Sequence, residues 1–176
     1  MQVLFAGKAH PLDEPGQAYA KKIHAMCKRP GLQGKVVLLE EYDMGLGRLL
    51  TSGCDIWLNT PIRPHEASGT SGMKGPLSGG LNLSISDGWW PEAADGQNGW
   101  TIDGQSEGLG AKLRDKADAE ALYKLLEEDM VPLFHAQGTS GVPSPWVEKA
   151  LRSAATVNPT FSSHRMVAEY LEWGYR

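Results

Sequence analysis

Two short runs of consecutive apolar residues limit what this chain can fold into. Val3–Ala6 and Val36–Leu39 are continuously apolar rather than alternating, which is typical of strands covered on both faces, as in parallel sheets. A helical pattern lies between them, with Asp13 or Glu14 near its start, Pro15 in its first turn and Pro30-Gly31 as its stop. Its apolar positions are Tyr19, Ile23, Met26 and Cys27. The segment is therefore predicted to be a strand-helix-strand unit.

The same alternation continues along the chain. A short helix is predicted over residues 46–51, closed by Gly53, followed by a strand over residues 55–58. After a loop rich in Gly, Ser and Thr and another short helix, a further strand is predicted at Leu81–Ile85. Alternating strands and helices favour an α/β fold with a Rossmann-like open parallel sheet. Such sheets bind ligands at loops beyond the carboxyl ends of the strands, where the Gly, Ser and Thr loop is expected.

The second half of the chain predicts helices. Residues 87–110 form a loop rich in Gly and Trp, followed by an apolar helix stripe interrupted near Pro132. Ser144 and Pro145 begin another helix, and a last helix carries Met166 to Leu171. The residues expected to point inward from the helix after Pro145 are Trp146, Val147, Ala150 and Leu151. We predict a Rossmann-like domain over 1–112 and a helical tail over 113–176 that packs on it.

Three tryptophans, Trp89, Trp90 and Trp100, lie in the Gly-rich loop. Tryptophan rings can stack on sugar rings, but they equally often anchor a loop to its own domain. We expect packing for at least two of the three.

Composition excludes several classes of partner. The net charge is -4, and no basic cluster is longer than two residues, so nucleic-acid binding is not indicated. Cys27 and Cys54 are too few for a disulfide framework and favour a reducing compartment. No signal peptide and no apolar run of membrane-spanning length occurs, so a cytoplasmic protein without membrane contact is expected. His135 and His164 each lie alone in a helical pattern, and no metal site is predicted.

Residues 66–74, Glu-Ala-Ser-Gly-Thr-Ser-Gly-Met-Lys, constrain the chemistry most. Gly69 and Gly72 allow positive φ, so that consecutive amides and hydroxyls can converge on one anion. The residues that follow predict a helix opening near Ser71, whose amides would strengthen the anion site. Lys74 would lie one turn inside, as a point charge on a phosphate or as an amine condensed with a carbonyl cofactor such as pyridoxal phosphate.

The same segment has two other interpretations. The nucleotide P-loop pattern requires Gly-Lys followed by Ser or Thr, whereas Met73 precedes Lys74 and Gly75 follows it. The plain alternative is a surface loop that runs into a helix with a solvated lysine.

The segment EASGTSGMK resembles the cofactor-lysine motif of the α-glucan phosphorylases of glycogen, starch and maltodextrin. Further segments that resemble the shorter bacterial and archaeal members occur in the same order along nearly the whole chain. They are AGKAHPLDEPG (6–16), LLEEYDM (38–44), DIWLNTP (55–61), LNLSISDGWW (81–90) and DGQNGW (95–100). The resemblance implies an α-glucan phosphorylase, a glycosyltransferase in which inorganic phosphate cleaves terminal α-1,4-linked glucose and releases glucose 1-phosphate.

The resemblance also implies roles for individual residues. Lys74 would carry pyridoxal 5'-phosphate as a Schiff base, and the cofactor's phosphate rather than its ring would exchange a proton with the substrate phosphate. The phosphate-holding positions would be Gly69, Thr70, Ser71 and Gly72. The positions that hydrogen-bond the transferred glucose would be Glu66, Ala67, Ser68 and Gly69. Tyr42 matches an aromatic position near the cofactor ring.

Each of these side chains has a plainer interpretation. Glu66 could be a solvated loop carboxylate, and Ser68 and Thr70 could be turn or cap hydroxyls. Tyr42 could be a half-buried aromatic at a strand end. Pro76 departs from the family pattern and removes a backbone donor from the first turns of the predicted helix.

The resemblance implies a carboxyl-terminal part of a two-domain glycosyltransferase of the GT-B type. An amino-terminal domain and a Lys-Arg phosphate-binding pair of the family have no counterpart in this sequence. We therefore expect an isolated chain to be inactive. Two alternatives remain: a sugar-nucleotide glycosyltransferase, disfavoured because Lys74 stands where an acceptor for the ribose is needed, and a non-catalytic module that binds glucan or forms homo-oligomers through exposed apolar residues.

Overall fold

A computed structural model describes residues 1–136, 138 and 144–175 of the chain. They form two compact units, Met1–Leu50 and Thr51–Arg176. The predicted division at residue 112 lies inside the second unit and stays a prediction. The predicted tail includes residues 137, 139–143 and 176, which lie outside the described residues.

The first unit confirms the predicted strand-helix-strand pattern. Strands β1 (Val3–Ala6) and β2 (Val36–Leu39) pair in parallel, with Val3 opposite Val36. Helix α1 (Glu14–Cys27) connects them and begins where the Asp13 carboxylate accepts the amide of Gly16 at 2.9 Å. That side chain satisfies one of the otherwise unpaired amides of the first turn. Helix α2 (Met44–Gly53) follows β2.

The second unit contains a parallel sheet of three strands. Its order is β3 (Ile56–Asn59), β4 (Leu81–Ile85) and β5 (Gly99–Ile102), so β4 is central. Asn82 on β4 is level with Trp57 on β3 and Gly99 on β5. Among the described residues the protein is an α/β fold with two parallel sheets. The predicted α/β class and parallel pairing are therefore confirmed, and the Rossmann-like open sheet stays a prediction.

Strand β5 was not predicted from the sequence, because it begins at a glycine inside a Gly-rich loop. A Cβ on Gly99 would lie 2.5 Å from Cη2 of Trp90 and 2.7 Å from the backbone oxygen of Asn82. The glycine is thus required by the close approach of β4 and Trp90, and it does not mark a turn.

The helices of the second unit cover its sheet. After the short helix α3 (Trp90–Ala93) come α4 (Ala111–Leu125), α5 (Val131–His135), α6 (Ser144–Thr160) and α7 (Ser163–Glu169). A buried cluster joins strands β4 and β5 to the helical layer. Its members are Leu81, Leu83, Ile85, Trp100, Ile102, Met130 and Trp146. No helix among the described residues is long and apolar enough to span a membrane.

Two helix predictions need correction. The helix is not interrupted at Pro132, because a π-helical segment (Leu126–Met130) joins α4 to α5 and its wider turn accommodates a residue that has no amide to donate. In α6, Val147 and Leu151 do not point inward, since 37% and 65% of their surfaces are exposed. The buried residues of α6 are instead Trp146, Ser153 and Val157.

The three loop tryptophans are packed, as expected for at least two of them. Trp89, Trp90 and Trp100 are 4%, 1% and 5% exposed. The indole of Trp90 donates to Thr101 Oγ1 at 2.9 Å, and that of Trp100 donates to Asp129 Oδ2 at 2.8 Å. Their rings therefore fix the loop to its own sheet and are not free to stack on a sugar.

The turn at residues 95–98 is attached to α6 by polar contacts. Arg152 Nε donates to Asp95 Oδ2 at 2.7 Å, and the buried side chain of Asn98 donates to Thr156 Oγ1 at 3.0 Å. Partial burial alone would raise the pKa of the Asp95 carboxyl, but the Gln97 amide and the Arg152 guanidinium hold that pKa below its ordinary value. The carboxylate form is therefore favoured by folding.

This contact predicts an acid-dependent contribution to stability. Because the folded-state pKa of Asp95 is lowered, its contribution is present above the ordinary value of 3.8 and is lost as the pH falls below that value through the folded-state pKa. Since both partners are partly solvated, we expect Asp95→Asn to lower the free energy of unfolding by no more than about 1 kcal/mol at pH 7. Urea titrations from pH 2 to 7 measure this.

The control is Glu148→Gln. Glu148 lies on α6, the helix that carries Arg152, and makes no ion pair among the described residues. A stability difference between wild type and Asp95→Asn that is the same at pH 2.5 and pH 7 would contradict the assigned role of this carboxylate.

Candidate functional site

The Gly, Ser and Thr loop lies at the carboxyl edge of the three-stranded sheet. It follows β3, and the turn that follows β4 lies beside it, because parallel strands end at the same edge. The predicted position of the loop is thus confirmed within the second unit.

The turn after β4 is bonded to the loop at two points. The amide of Trp89 donates to the backbone oxygen of Ser68, and the amide of Glu66 donates to Asp87 Oδ2, each at 2.9 Å. Gly88, which lies between Asp87 and Trp89, has φ +59°, and a Cβ there would lie 2.5 Å from the same backbone oxygen of Ser68. Only glycine lets the two backbones approach this closely.

A third attachment joins the loop to the central strand. Asn82 Nδ2 on β4 donates to the backbone oxygen of Gly72 at 3.0 Å. Gly72 is buried, and a Cβ on it would lie 2.7 Å from Asn82 Oδ1 and 3.1 Å from Nε1 of Trp89. The loop therefore enters its helix through a narrow gap between Asn82 and Trp89, where any Cβ would displace one of these side chains.

The helix after the loop differs from the predicted one. It begins after Ser71 as expected, but Gly72–Ser78 is a 3-10 helix with Pro76 inside it. Pro76 has no amide to donate, and at seven residues the segment is longer than most 3-10 helices. A helix of this length adds little dipole, so any anion would depend mainly on the loop amides themselves.

The loop carries free hydrogen-bond donors. In the described parts of the chain, the backbone amides of Gly69, Thr70 and Ser71 donate to no protein acceptor. Gly69 has φ +79° and gives the loop its turn. The amide of Gly72 makes a long bond of 3.3 Å to the Gly69 oxygen. Three successive free amides, with the hydroxyls of Thr70 and Ser71, are suited to an anion such as a phosphate.

Lys74 lies beside these donors. Its exposed side chain lines a cleft of about 350 Å³ together with Thr70, Met73 and Leu77. The opposite wall comes from the end of α6 and the start of α7, and it consists of Asn158, Phe161, Ser162 and Ser163. Cofactor sites commonly have volumes of about 300 to 1,000 Å³. These features fit pyridoxal phosphate: the amine suits its aldehyde, the mixed apolar and hydroxyl wall suits its ring, and the nearby free amides suit its phosphate.

The other predicted site residues differ in how far they are buried. Glu66, Ser68 and Gly69 are half-buried, and Ala67 is exposed. Tyr42 belongs to the first unit and is 39% exposed. The roles of all these residues stay predictions.

Three residues shape the site but were not predicted from the sequence to belong to it. Asn82, Asp87 and Trp89 lie outside the motif and act through contacts that only the fold creates. The sequence contains one indication of the role of Asn82, because a side-chain amide inside the apolar run Leu81–Ile85 needs a buried hydrogen-bond partner.

Comparison with known proteins shows similarity along the whole chain. It is 45% identical over 175 residues, 99% of its length, to a glycogen phosphorylase of Mycobacterium tuberculosis. It is 42% identical over 98% of its length to a maltodextrin phosphorylase of Thermococcus litoralis, and 41% identical over 99% to a glycogen phosphorylase of Aquifex aeolicus. The chain spans only 20%, 20% and 25% of these relatives. No profile of a known protein family matches it.

The close approach at Gly88 can be tested with a matched glycine. Gly88 and Gly96 both have positive φ, but a Cβ on Gly96 would meet no atom within 4 Å. Gly96→Ala should therefore cost only the backbone strain of about 1 to 2 kcal/mol. Gly88→Ala should cost about 1 to 3 kcal/mol more, because it also forces Ser68 and Glu66 away. Denaturant unfolding measures both, and equal losses would show that the loop does not touch the turn.

Proposed function

We propose that this chain, which belongs to the α-glucan phosphorylase family, forms the cofactor-lysine region of an enzyme that cleaves terminal α-1,4-linked glucose with inorganic phosphate. Lys74 binds pyridoxal 5'-phosphate, and the product is glucose 1-phosphate. The observation that carries the proposal is the cleft lined by both Lys74 and Thr70, the middle residue of the three with free amides.

The chain's own residues divide the work of binding the cofactor. The amine of Lys74 would form the covalent attachment, and the side chains of Met73, Leu77 and Phe161 would give the ring apolar contacts. The amides of Gly69 to Ser71, which donate to no acceptor among the described residues, would hold the phosphate oxygens. When bound, pyridoxal phosphate supplies a phosphate group whose second pKa, about 6, allows proton exchange near neutral pH.

Substrate binding is proposed for the first half of the same loop. Asp87 accepts the Glu66 amide and so orients the Glu66 backbone. The Glu66 carboxylate and the Ser68 hydroxyl are suited to the hydroxyls of glucose, since both can accept hydrogen bonds and a neutral sugar needs no cation.

Covalent trapping tests the cofactor site. The chain is incubated with pyridoxal phosphate, reduced with borohydride, and the modified residue is located by peptide mass. We expect Lys74 to be modified at the lowest concentrations. Pyridoxal, which lacks the phosphate, should need at least about tenfold more, because hydrogen bonds to a charged group contribute roughly 1.5 to 3 kcal/mol.

Two variants serve as controls for this trapping. Lys74→Ala should abolish the high-affinity modification, and Lys112→Ala should leave it unchanged, because Lys112 is an exposed lysine on α4 outside the cleft. Modification spread evenly over the lysines, or equal capture of pyridoxal and pyridoxal phosphate, would remove the basis for the site.

We also expect the 176 residues by themselves to release negligible glucose 1-phosphate from maltodextrin and phosphate. Lys74 is the sole cation among the described residues that line the cleft, and an amine bound to the cofactor cannot also hold a substrate phosphate. Phosphoryl groups in active sites generally require such positive charge. Turnover within the ordinary enzymatic range of roughly 1 to 1,000 per second would contradict this expectation.

A further inference from the structure

We propose that Asn82 is the positioning residue of Lys74. This inference rests on the proposed function, because it assigns to a residue of the central strand the task of fixing the cofactor lysine's backbone. Asn82 itself is not catalytic, since it acts through the Gly72 carbonyl.

The two faces of β4 show why Asn82 is unusual. Leu81, Leu83 and Ile85 belong to the apolar cluster on one face. Asn82 and Ser84 alternate with them, and each is 1% exposed. The hydroxyl of Ser84 donates to the adjacent Ile85 oxygen and so stays within its own strand. The Asn82 amide instead reaches a residue ten positions earlier in the chain, at the start of the 3-10 helix.

The contact fixes a point two residues before Lys74. Asn82 Nδ2 bonds the Gly72 oxygen at 3.0 Å, and Trp89 closes the other side of the same glycine. From there a tight turn leads to the lysine, whose own amide donates to the Ser71 oxygen at 3.2 Å. Because the Gly72 carbonyl cannot shift far without breaking this bond, the backbone that leads to Lys74 is tied to the sheet at this point.

An apolar side chain would fill the same space at less desolvation cost. Burying an amide on a central strand is unfavourable unless it is hydrogen-bonded. If the side chain at position 82 only filled space, Leu would serve as well, because it has a similar volume. Holding the Gly72 carbonyl requires the hydrogen-bond donor of the Asn82 amide.

The test compares Asn82→Leu with Ser84→Ala. Ser84 is the matched control, because it is equally buried on the same face of the same strand but its hydroxyl bonds to Ile85 within that strand. Pyridoxal phosphate is the probe, and its capture at Lys74 is measured relative to capture at the exposed Lys124 on α4. We expect Asn82→Leu to lower this ratio by about ten- to a hundredfold, as expected when a reacting group is misplaced by an ångström. Ser84→Ala should leave the ratio unchanged.

The ratio separates positioning from stability. A loss of stability alone would lower the unfolding midpoint and leave the relative capture at Lys74 unchanged at temperatures well below that midpoint. If wild type captures the probe at Lys74 and Asn82→Leu does so with the same ratio, the inference is overturned.

Hydrogen exchange decides the inference even if the proposed function fails. Should wild type not capture the probe at Lys74, the hydrogen-bonded amides of Gly72 and Lys74 still report on the contact. Faster exchange of these amides in Asn82→Leu than in wild type and Ser84→Ala would support the positioning role. Equal exchange in all three proteins would overturn it.

Discussion

The central strand β4 is the constraint on which the candidate site depends. Its side chains serve two purposes, because one face builds the apolar cluster and the other provides the Asn82 amide that binds the Gly72 oxygen. The turn that follows it adds the bonds from Trp89 to Ser68 and from Glu66 to Asp87. A loop whose small residues would otherwise sample many conformations is thereby attached at three points, so its free amides need little reorganisation to bind an anion.

The parts of the fold that local pattern determines could be predicted from the sequence. Strands β1, β2 and β4 have the predicted bounds, because continuous apolar runs bounded by turn residues indicate buried strands. Strand β5 could not be predicted, since Gly99 reads as a turn residue until Trp90 is seen to fill the space beside it. The inward face of α6 was assigned wrongly at Leu151, because a short apolar pattern does not reveal which neighbouring stripe meets the sheet.

The candidate site shows the same division. The motif residues from Glu66 to Lys74 could be identified because they are contiguous in the sequence. Asn82 and Asp87 could not, since their importance lies in hydrogen bonds to residues 10 and 21 positions away. The helix type was also beyond local pattern: a start near Ser71 was predicted, but the 3-10 form reflects Pro76 and the tight passage of Gly72 beside Trp89.

A crystal structure of the chain after reaction with pyridoxal phosphate and borohydride tests the central claim most directly. We predict continuous density from Nζ of Lys74 to a pyridine ring in the cleft beside Phe161, with the phosphate oxygens within hydrogen-bond distance of the amides of Thr70 and Ser71. A ring attached to another lysine, or a phosphate turned away from the loop amides, would contradict the assignment of this loop as the cofactor site.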